Sequence, residues 1–262
     1  GGRAALSHTG ALASSDDVVR ALFRKTGIVY CSGRSELISV ASIFTYSELP
    51  GKRFAIITHA GGSAVMLSDA LSKSGLEVPE ITHPKRDELL DYLHPGSSVK
   101  NPIDFLATGT ADQLAIIIDY CEHQFDEIDA IIVVFGSPGL FDVKNVYKVL
   151  NVKMNFGDKP IFPVLPSLIN SEDEINYFIS KGRVNFPDEV QLGISLGAVY
   201  NTPKPELDRA VLPKINSEKV RAVIDDAQEG YLSPAECRAL FEAADIPYTK
   251  EAVAESREEA LK

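Results

Sequence analysis

The chemistry this chain can do rests on a few histidines and glycine turns. His8 stands in the polar run Ser7-His8-Thr9-Gly10, just ahead of an expected helix start. An imidazole in such a loop can serve as a general base, a metal ligand or a phosphate acceptor. No second His or Cys lies near it at metal-ligand spacing, and a plain exposed loop histidine is the competing reading. His59 opens the run His59-Ala60-Gly61-Gly62-Ser63, directly after the apolar stretch Phe54-Ala55-Ile56-Ile57-Thr58. A strand followed by a glycine turn and a helix start directs backbone N–H groups at an anion. His59 in that turn can donate to a phosphate or a substrate carbonyl, or merely cap. The two glycines form neither a Walker loop nor a dinucleotide fingerprint. Taken alone, they read slightly better as a tight turn chosen for packing. Gly136-Ser137-Pro138-Gly139 makes a second such turn after Ala130–Phe135, and Asp104 follows a proline-fixed loop, Asn101-Pro102-Ile103. Asp104 reads as a support for its neighbours. Asp69 is expected on a helix surface, and His83, His94 and His123 read as solvated. No Ser-His-Asp order and no paired-carboxylate pattern stands out.

These residues need a scaffold, and the hydrophobic pattern supplies one. From residue 52 to about 201, short apolar runs alternate with helical periodicity. Strands are expected at 54–58, 77–81, 130–135, 160–165 and 184–186. Helices are expected at 64–74, 84–93, 111–124, 143–152, 171–181 and from 187 to about 200. Ser63 is the expected cap of the first of these, with Val65, Met66, Ala70 and Leu71 on its apolar spacing and Gly75 as its stop. Such alternation predicts a parallel α/β sheet with right-handed crossovers, whose ligands sit beyond the carboxyl ends of the strands. Both glycine turns belong at that end, adjacent at one edge. Before residue 50 there is material for two helices and one strand, 28–30. The first helix starts at Ser14-Ser15-Asp16-Asp17 and ends at Gly27; the second is capped by Ser35, with Leu37, Ile38, Ala41 and Phe44 inward. After a linker at 202–215, helices are expected from Asn216 and, capped by Ser233, from Pro234, with another starting after Ser256.

Composition narrows the classes. The 262 residues are 45% hydrophobic, enough for one large or two smaller domains, and the net charge is -11 with a pI near 5.0. An acidic chain is a poor partner for nucleic acid or an anionic membrane, so a phosphate would be bound through helix termini rather than a basic face. Cys31, Cys121 and Cys237 are scattered without a C-x-x-C pair, pointing to a reducing compartment, no disulfide and no zinc. No apolar run reaches membrane-spanning length. The first residue is Gly1 and the last ones, Glu258 to Lys262, run in a helical pattern, which suggests a piece of a longer polypeptide.

Gly2-Arg3-Ala4-Ala5-Leu6-Ser7-His8-Thr9-Gly10-Ala11-Leu12-Ala13, with the helix and Gly27-Ile28 that follow, resembles the phosphohistidine loop of NDP-forming acyl-CoA synthetases. That family includes ADP-forming acetate–CoA ligase and is related to succinyl-CoA synthetase. Residues 53–76, with Thr58-His59-Ala60-Gly61-Gly62 and Asp69, resemble the first βα unit of the family's second flavodoxin-like ligase domain. Asn101-Pro102-Ile103-Asp104 and Phe135-Gly136-Ser137-Pro138-Gly139 match later landmarks of that domain. Residues 230–262 are similar to the opening of an ATP-grasp domain.

The resemblance implies a domain order. Residues 1–50 would close a CoA-ligase flavodoxin-like domain, 51–201 would form a second one, 202–215 would link, and 216–262 would begin an ATP-grasp domain. It implies an acid–thiol ligase in which acyl-CoA and phosphate give an acyl phosphate and CoA. His8 would take the phosphoryl group and pass it to ADP. Gly61, Gly62, Gly136, Ser137 and Gly139 would hold phosphate, with His59 and Asp104 in support and no metal in this chain. CoA, ATP or ADP and Mg²⁺ would be used by the full-length enzyme, while this chain would bind only phosphate or sulfate and would not turn over alone. Its partners would be acyl-CoA, phosphate, nucleotide and the CoA-binding and ATP-grasp domains of the same polypeptide, in the cytoplasm, with homo-oligomerisation left open. Two positions depart from the family pattern: His59 stands where Asn is common, and Ser14 where glycine is usual. A non-enzymatic acyl-CoA or nucleotide sensor, such as the regulatory part of a protein acetyltransferase, is the alternative. A receiver domain fits the alternation but lacks the acidic pair after its first strand, where Thr58-His59 stands.

Overall fold

A computed structural model describes residues 15–46, 49, 51–137, 143–205, 215–249, 254 and 256–261. His8, Ser14, Pro138 and Gly139 lie outside them. Two compact units divide the chain, Gly1–Pro205 and Glu206–Lys262.

The first unit is built on four all-parallel strands, β1 (Phe54–Thr58), β2 (Ile103–Asp104), β3 (Ala130–Val134) and β4 (Ile161–Val164), in the order β2-β1-β3-β4. Every residue of β1, β3 and β4 is buried, which is why these strands read as unbroken apolar runs rather than alternating ones. Successive side chains still go to opposite faces. Ala55, Ile57, Ile131, Val133 and Ile161 enter one core, and Phe54, Ile56, Ala130, Ile132, Val134, Phe162 and Val164 enter the other.

Helix α1 (Asp16–Thr26) buries no residue, and α2 (Arg34–Ile43), α3 (Gly61–Lys73), α4 (Lys85–Asp91), α5 (Ala111–His123), α6 (Lys144–Phe156), α7 (Glu172–Ser180) and α8 (Glu189–Asn201) cover both faces. Leu114, Ile117 and Ile118 of α5 and Val146 and Leu150 of α6 close the first core; Leu67 and Leu71 of α3 and Leu192 and Leu196 of α8 close the second. The α3–α8 contact is unusually close. A Cβ on Gly193 would lie 2.7 Å from the Ala70 Cβ, and one on Gly197 would lie 2.3 Å from the Ser74 Cβ. Glycines spaced four apart therefore set the distance between these helices. Helix α5 begins with a full capping box: Thr110 accepts from the Gln113 N–H at 3.2 Å, and Gln113 accepts from the Thr110 N–H at 3.0 Å. Thr110→Ala is expected to cost about 1 kcal/mol, read as a lower urea midpoint with an unchanged slope.

Several elements differ from the sequence expectation. Residues 28–30 form no strand, and α2 is capped by Gly33, not Ser35. Leu37, Ile38 and Phe44 are exposed while Ser39, Val40 and Ile43 are buried. Helix α2 is apolar on both sides, and its docking on α8 rather than its periodicity picks the inner one. The expected strands at 77–81 and 184–186 contribute only single bridges, Arg53 to Glu77 and Val164 to Phe186. Helix α3 starts at Gly61 with Ala60 as its cap, so both glycines lie in its first turn and Ser63 caps nothing. Val65 and Met66 are exposed, and Ala64 and Leu67 take their expected places inside. Residues 103–104, expected in a loop, pair with β1. The side chain of Asn101 makes that possible: it accepts from the Ile56 N–H at 2.9 Å and donates to the Phe54 and Pro79 carbonyls at 2.9 and 2.8 Å.

The second unit contains α9 (Ser217–Asp226), α10 (Pro234–Ala243) and the short α11 (Arg257–Ala260). Ser233 and Glu236 form a capping box at α10, with Pro234 as its first residue. No helix among the described residues is long and apolar enough to cross a membrane.

Candidate functional site

The strand register lines up the carboxyl ends of the sheet. Thr58 is level with Asp104 on one side and Val134 on the other, and Val134 is level with Val164. The residues just past that row, His59, Gly136 and Ser167, therefore emerge together. Thr58 is fully buried, and its hydroxyl accepts from the Ala60 N–H and donates to the Ala60 carbonyl, both at 3.0 Å. That local bond turns the chain sharply and delivers it into α3.

The start of α3 is open. Ala60 offers no side-chain cap, so the N–H groups of the first turn are left to solvent or a ligand. Neither glycine there is needed for packing. Both avoid positive φ. A Cβ on Gly61 would sit 3.5 Å from Asp104 Oδ2, an ordinary contact, and one on Gly62 would meet nothing within 4 Å. The packing reading of these glycines thus has no steric ground, and the space over Gly62 is accessible to an anion. Asp104 stands on the Gly61 side, with Oδ1 accepting from the Leu106 N–H at 2.9 Å. A carboxylate beside a helix start favours the helix.

His59 lies half-buried against Phe135, ring centroids 4.4 Å apart at 31°. Its Nδ1 is buried without a partner among the described residues. Burial pushes its pKa below the usual imidazole value; a hydrogen bond with the Val134 backbone and the charge of Asp104 pull the other way. The folded chain therefore binds fewer protons at His59 than the unfolded chain does. The stabilisation from a neutral ring is fully present above the ordinary imidazole pKa of about 6.5 and is lost as pH falls toward the lowered folded value. His59→Asn is expected to flatten the fall in stability between roughly pH 7.5 and 5.5. Urea midpoints of both proteins at the two pH values check this, and parallel curves would refute it.

The second turn is arranged differently from the sequence expectation. Ser137 does not offer a free amide: its N–H donates to Ser167 Oγ at 2.7 Å. Gly136 is buried beneath this contact. The structure thus brings His59, Gly61, Gly62, Asp104, Gly136 and Ser137 to one end of the sheet, while His8 and Gly139 lie outside the described residues. Sequence reasoning quoted Thr58 and Phe135 within motifs without giving them a role, and it missed Ser167. The usable signal for Ser167 was its place three residues beyond the buried strand β4, at the end where ligands bind.

Comparison with known proteins decides the family. Residues 54–205 match the family described as Ligase-CoA domain, and residues 1–44 match the succinyl-CoA ligase like flavodoxin domain.

The chain belongs to the ADP-forming acyl-CoA synthetase family.

Among relatives in this family, the α subunit of ADP-forming acetate–CoA ligase II of Pyrococcus furiosus is 38% identical over 112 residues, 43% of this chain and 24% of that subunit. The ADP-forming 4-hydroxybutyrate–CoA ligase of Nitrosopumilus maritimus is 32% identical over 45% of this chain and 17% of its own length. The chain thus spans a quarter or less of these two synthetases. A solved structure of the dinucleotide-forming acetyl-coenzyme A synthetase 1 of Candidatus Korarchaeum cryptofilum, in complex with phosphate and ADP, superposes on 76% of this chain with a TM-score of 0.67 at 20% identity, over 44% of that protein. Shared α/β CoA-ligase architecture is what that likeness carries.

Proposed function

We propose that this chain is the central part of an ADP-forming acyl-CoA synthetase working through phosphorylation of His8. In this reading inorganic phosphate attacks the thioester carbonyl of acyl-CoA, releasing CoA and leaving an acyl phosphate. A ring nitrogen of His8 then takes the phosphoryl group and frees the carboxylate, and ADP takes it from His8 to form ATP. Residues 1–50 close one flavodoxin-like ligase domain, 51–201 form the next, and 216–262 open an ATP-grasp domain that, with Mg²⁺, would hold the nucleotide. Phosphate is bound by the open first turn of α3 at Gly61 and Gly62, with the turn at Gly136 and Ser137 beside it, and Gly139 joins them by the family resemblance. His59 and Asp104 line the same end. Burial holds the His59 pKa below the usual imidazole value, so the phosphate is held by backbone donors rather than by a basic cluster, which suits an acidic chain. The three cysteines, each free, are in keeping with a cytoplasmic setting.

The observation that carries this reading is the open α3 start with glycines that packing does not require, set next to the β3 turn in a member of this family. The test is to incubate the full-length protein with short-chain and aryl acyl-CoAs, ³²P-phosphate and ADP. Labelled ATP, together with an acid-labile, base-stable phosphoryl group on the protein when ADP is omitted, supports it. Labelled product with no protein-bound intermediate would defeat the route through His8.

A further inference from the structure

The contact between Ser137 and Ser167 has a consequence for phosphate recognition. Ser167 sits on a pinned turn after β4. Two residues before it, the Leu165 N–H donates to Asn185 Oδ1 at 3.0 Å, and Asn185 Nδ2 donates back to the Leu165 carbonyl at 3.1 Å. Two further bonds fold the turn, from the Leu168 N–H to the Pro166 carbonyl at 2.9 Å and from the Ser171 N–H to the Ser167 carbonyl at 3.0 Å. The hydroxyl is thus held in place from both sides. It reaches over Gly136, where a Cβ would come within 2.9 Å of Ser167 Oγ and 3.9 Å of His59 Cε1. Glycine at 136 is what allows this approach. Ser167 Oγ accepts the Ser137 N–H, and among the described residues its own O–H has no acceptor. A hydroxyl that accepts from an amide is polarised into a better donor.

We propose that Ser167 is a phosphate-binding residue: its oxygen takes up the Ser137 amide and its proton is the donor presented, beside His59, to a phosphoryl oxygen. This rests on the phosphate-site reading above and changes the donor at the β3 turn from the Ser137 amide to the Ser167 hydroxyl.

The test uses the full-length protein with acyl-CoA, inorganic phosphate and ADP, comparing wild type, Ser167→Ala and Ser167→Thr. A hydrogen bond to a charged oxygen is worth enough for Ser167→Ala to raise KM for phosphate about tenfold. KM for ADP is expected to stay unchanged, and Ser167→Thr, which keeps the hydroxyl, is expected to return KM for phosphate to within about twofold of wild type. Thermal melts of all three confirm folding. An unchanged phosphate KM in Ser167→Ala overturns the assignment, as does an equal rise for phosphate and ADP, or equal impairment in Ala and Thr. A wild-type protein that never uses phosphate defeats the site reading as well, which is distinct from an active wild type matched by its Ala variant.

Discussion

His8→Asn is expected to abolish ATP formation from acyl-CoA, ADP and phosphate in the full-length protein, a loss of at least about a thousandfold or roughly 4 kcal/mol in barrier. An imidazole ring nitrogen is nucleophilic at neutral pH, whereas a carboxamide is not. Both halves of the proposed transfer pass through that nitrogen, so no partial route survives. The variant keeps a polar side chain in the small, polar run 7–10, so the melting temperature is expected to stay within a degree or two. A coupled assay for ATP formation reads the loss, and the protein-bound label is expected to vanish with it. Retention of most of the turnover would remove His8 from the mechanism whatever the rest of the fold does.

Gly62→Ala separates the two readings of the α3 start by sending stability and activity in opposite directions. A Cβ at this position would meet nothing within 4 Å. Replacing a helical glycine that has no positive φ with alanine reduces the entropy of the unfolded chain, so the fold is expected to gain about 0.5–1 kcal/mol. The new methyl group would occupy the approach to the first-turn amides. If a phosphoryl oxygen sits there, a donor hydrogen bond to a charged group is lost, and phosphate-dependent turnover is expected to fall by one to two decades, roughly 1.5–3 kcal/mol. Gly62→Val crowds the same space further and is expected to cost more activity. The two effects are read by urea unfolding and by the rate at subsaturating phosphate. A stabilised protein with wild-type turnover would return Gly62 to a purely local role and take the anion site away from α3.

Much of the architecture was legible because short-range physics governs it. The runs at 54–58 and 130–134 are long enough and apolar enough to be buried strands. Asp16 and Asp17 with Gly27 bound α1, and Ser233 with Pro234 starts α10; caps and stops are read from residues a few positions apart. The carboxyl end of the sheet as the site follows from the βα alternation alone. Burial faces were less legible. Helix α2 carries Leu37 and Ile38 as well as Val40 and Ile43, and only contact with α8 distinguishes them.

The site itself was half visible. Gly61, Gly62, His59, Asp104 and Gly136 could be picked out by type and position, and a pI near 5.0 argued for backbone donors over a basic patch. Sequence alone determined the alternation, the helix ends and the end of the sheet where chemistry belongs, because each depends on neighbours within a turn or a strand length. The tertiary structure decided the rest. It paired Ile103–Asp104 with β1 across more than forty residues, put Ser167 on the Ser137 amide across thirty, and left α3 uncapped. A hydrogen bond or a buried face of this kind is fixed by which distant segment arrives beside it, and no local pattern of residues records that arrival.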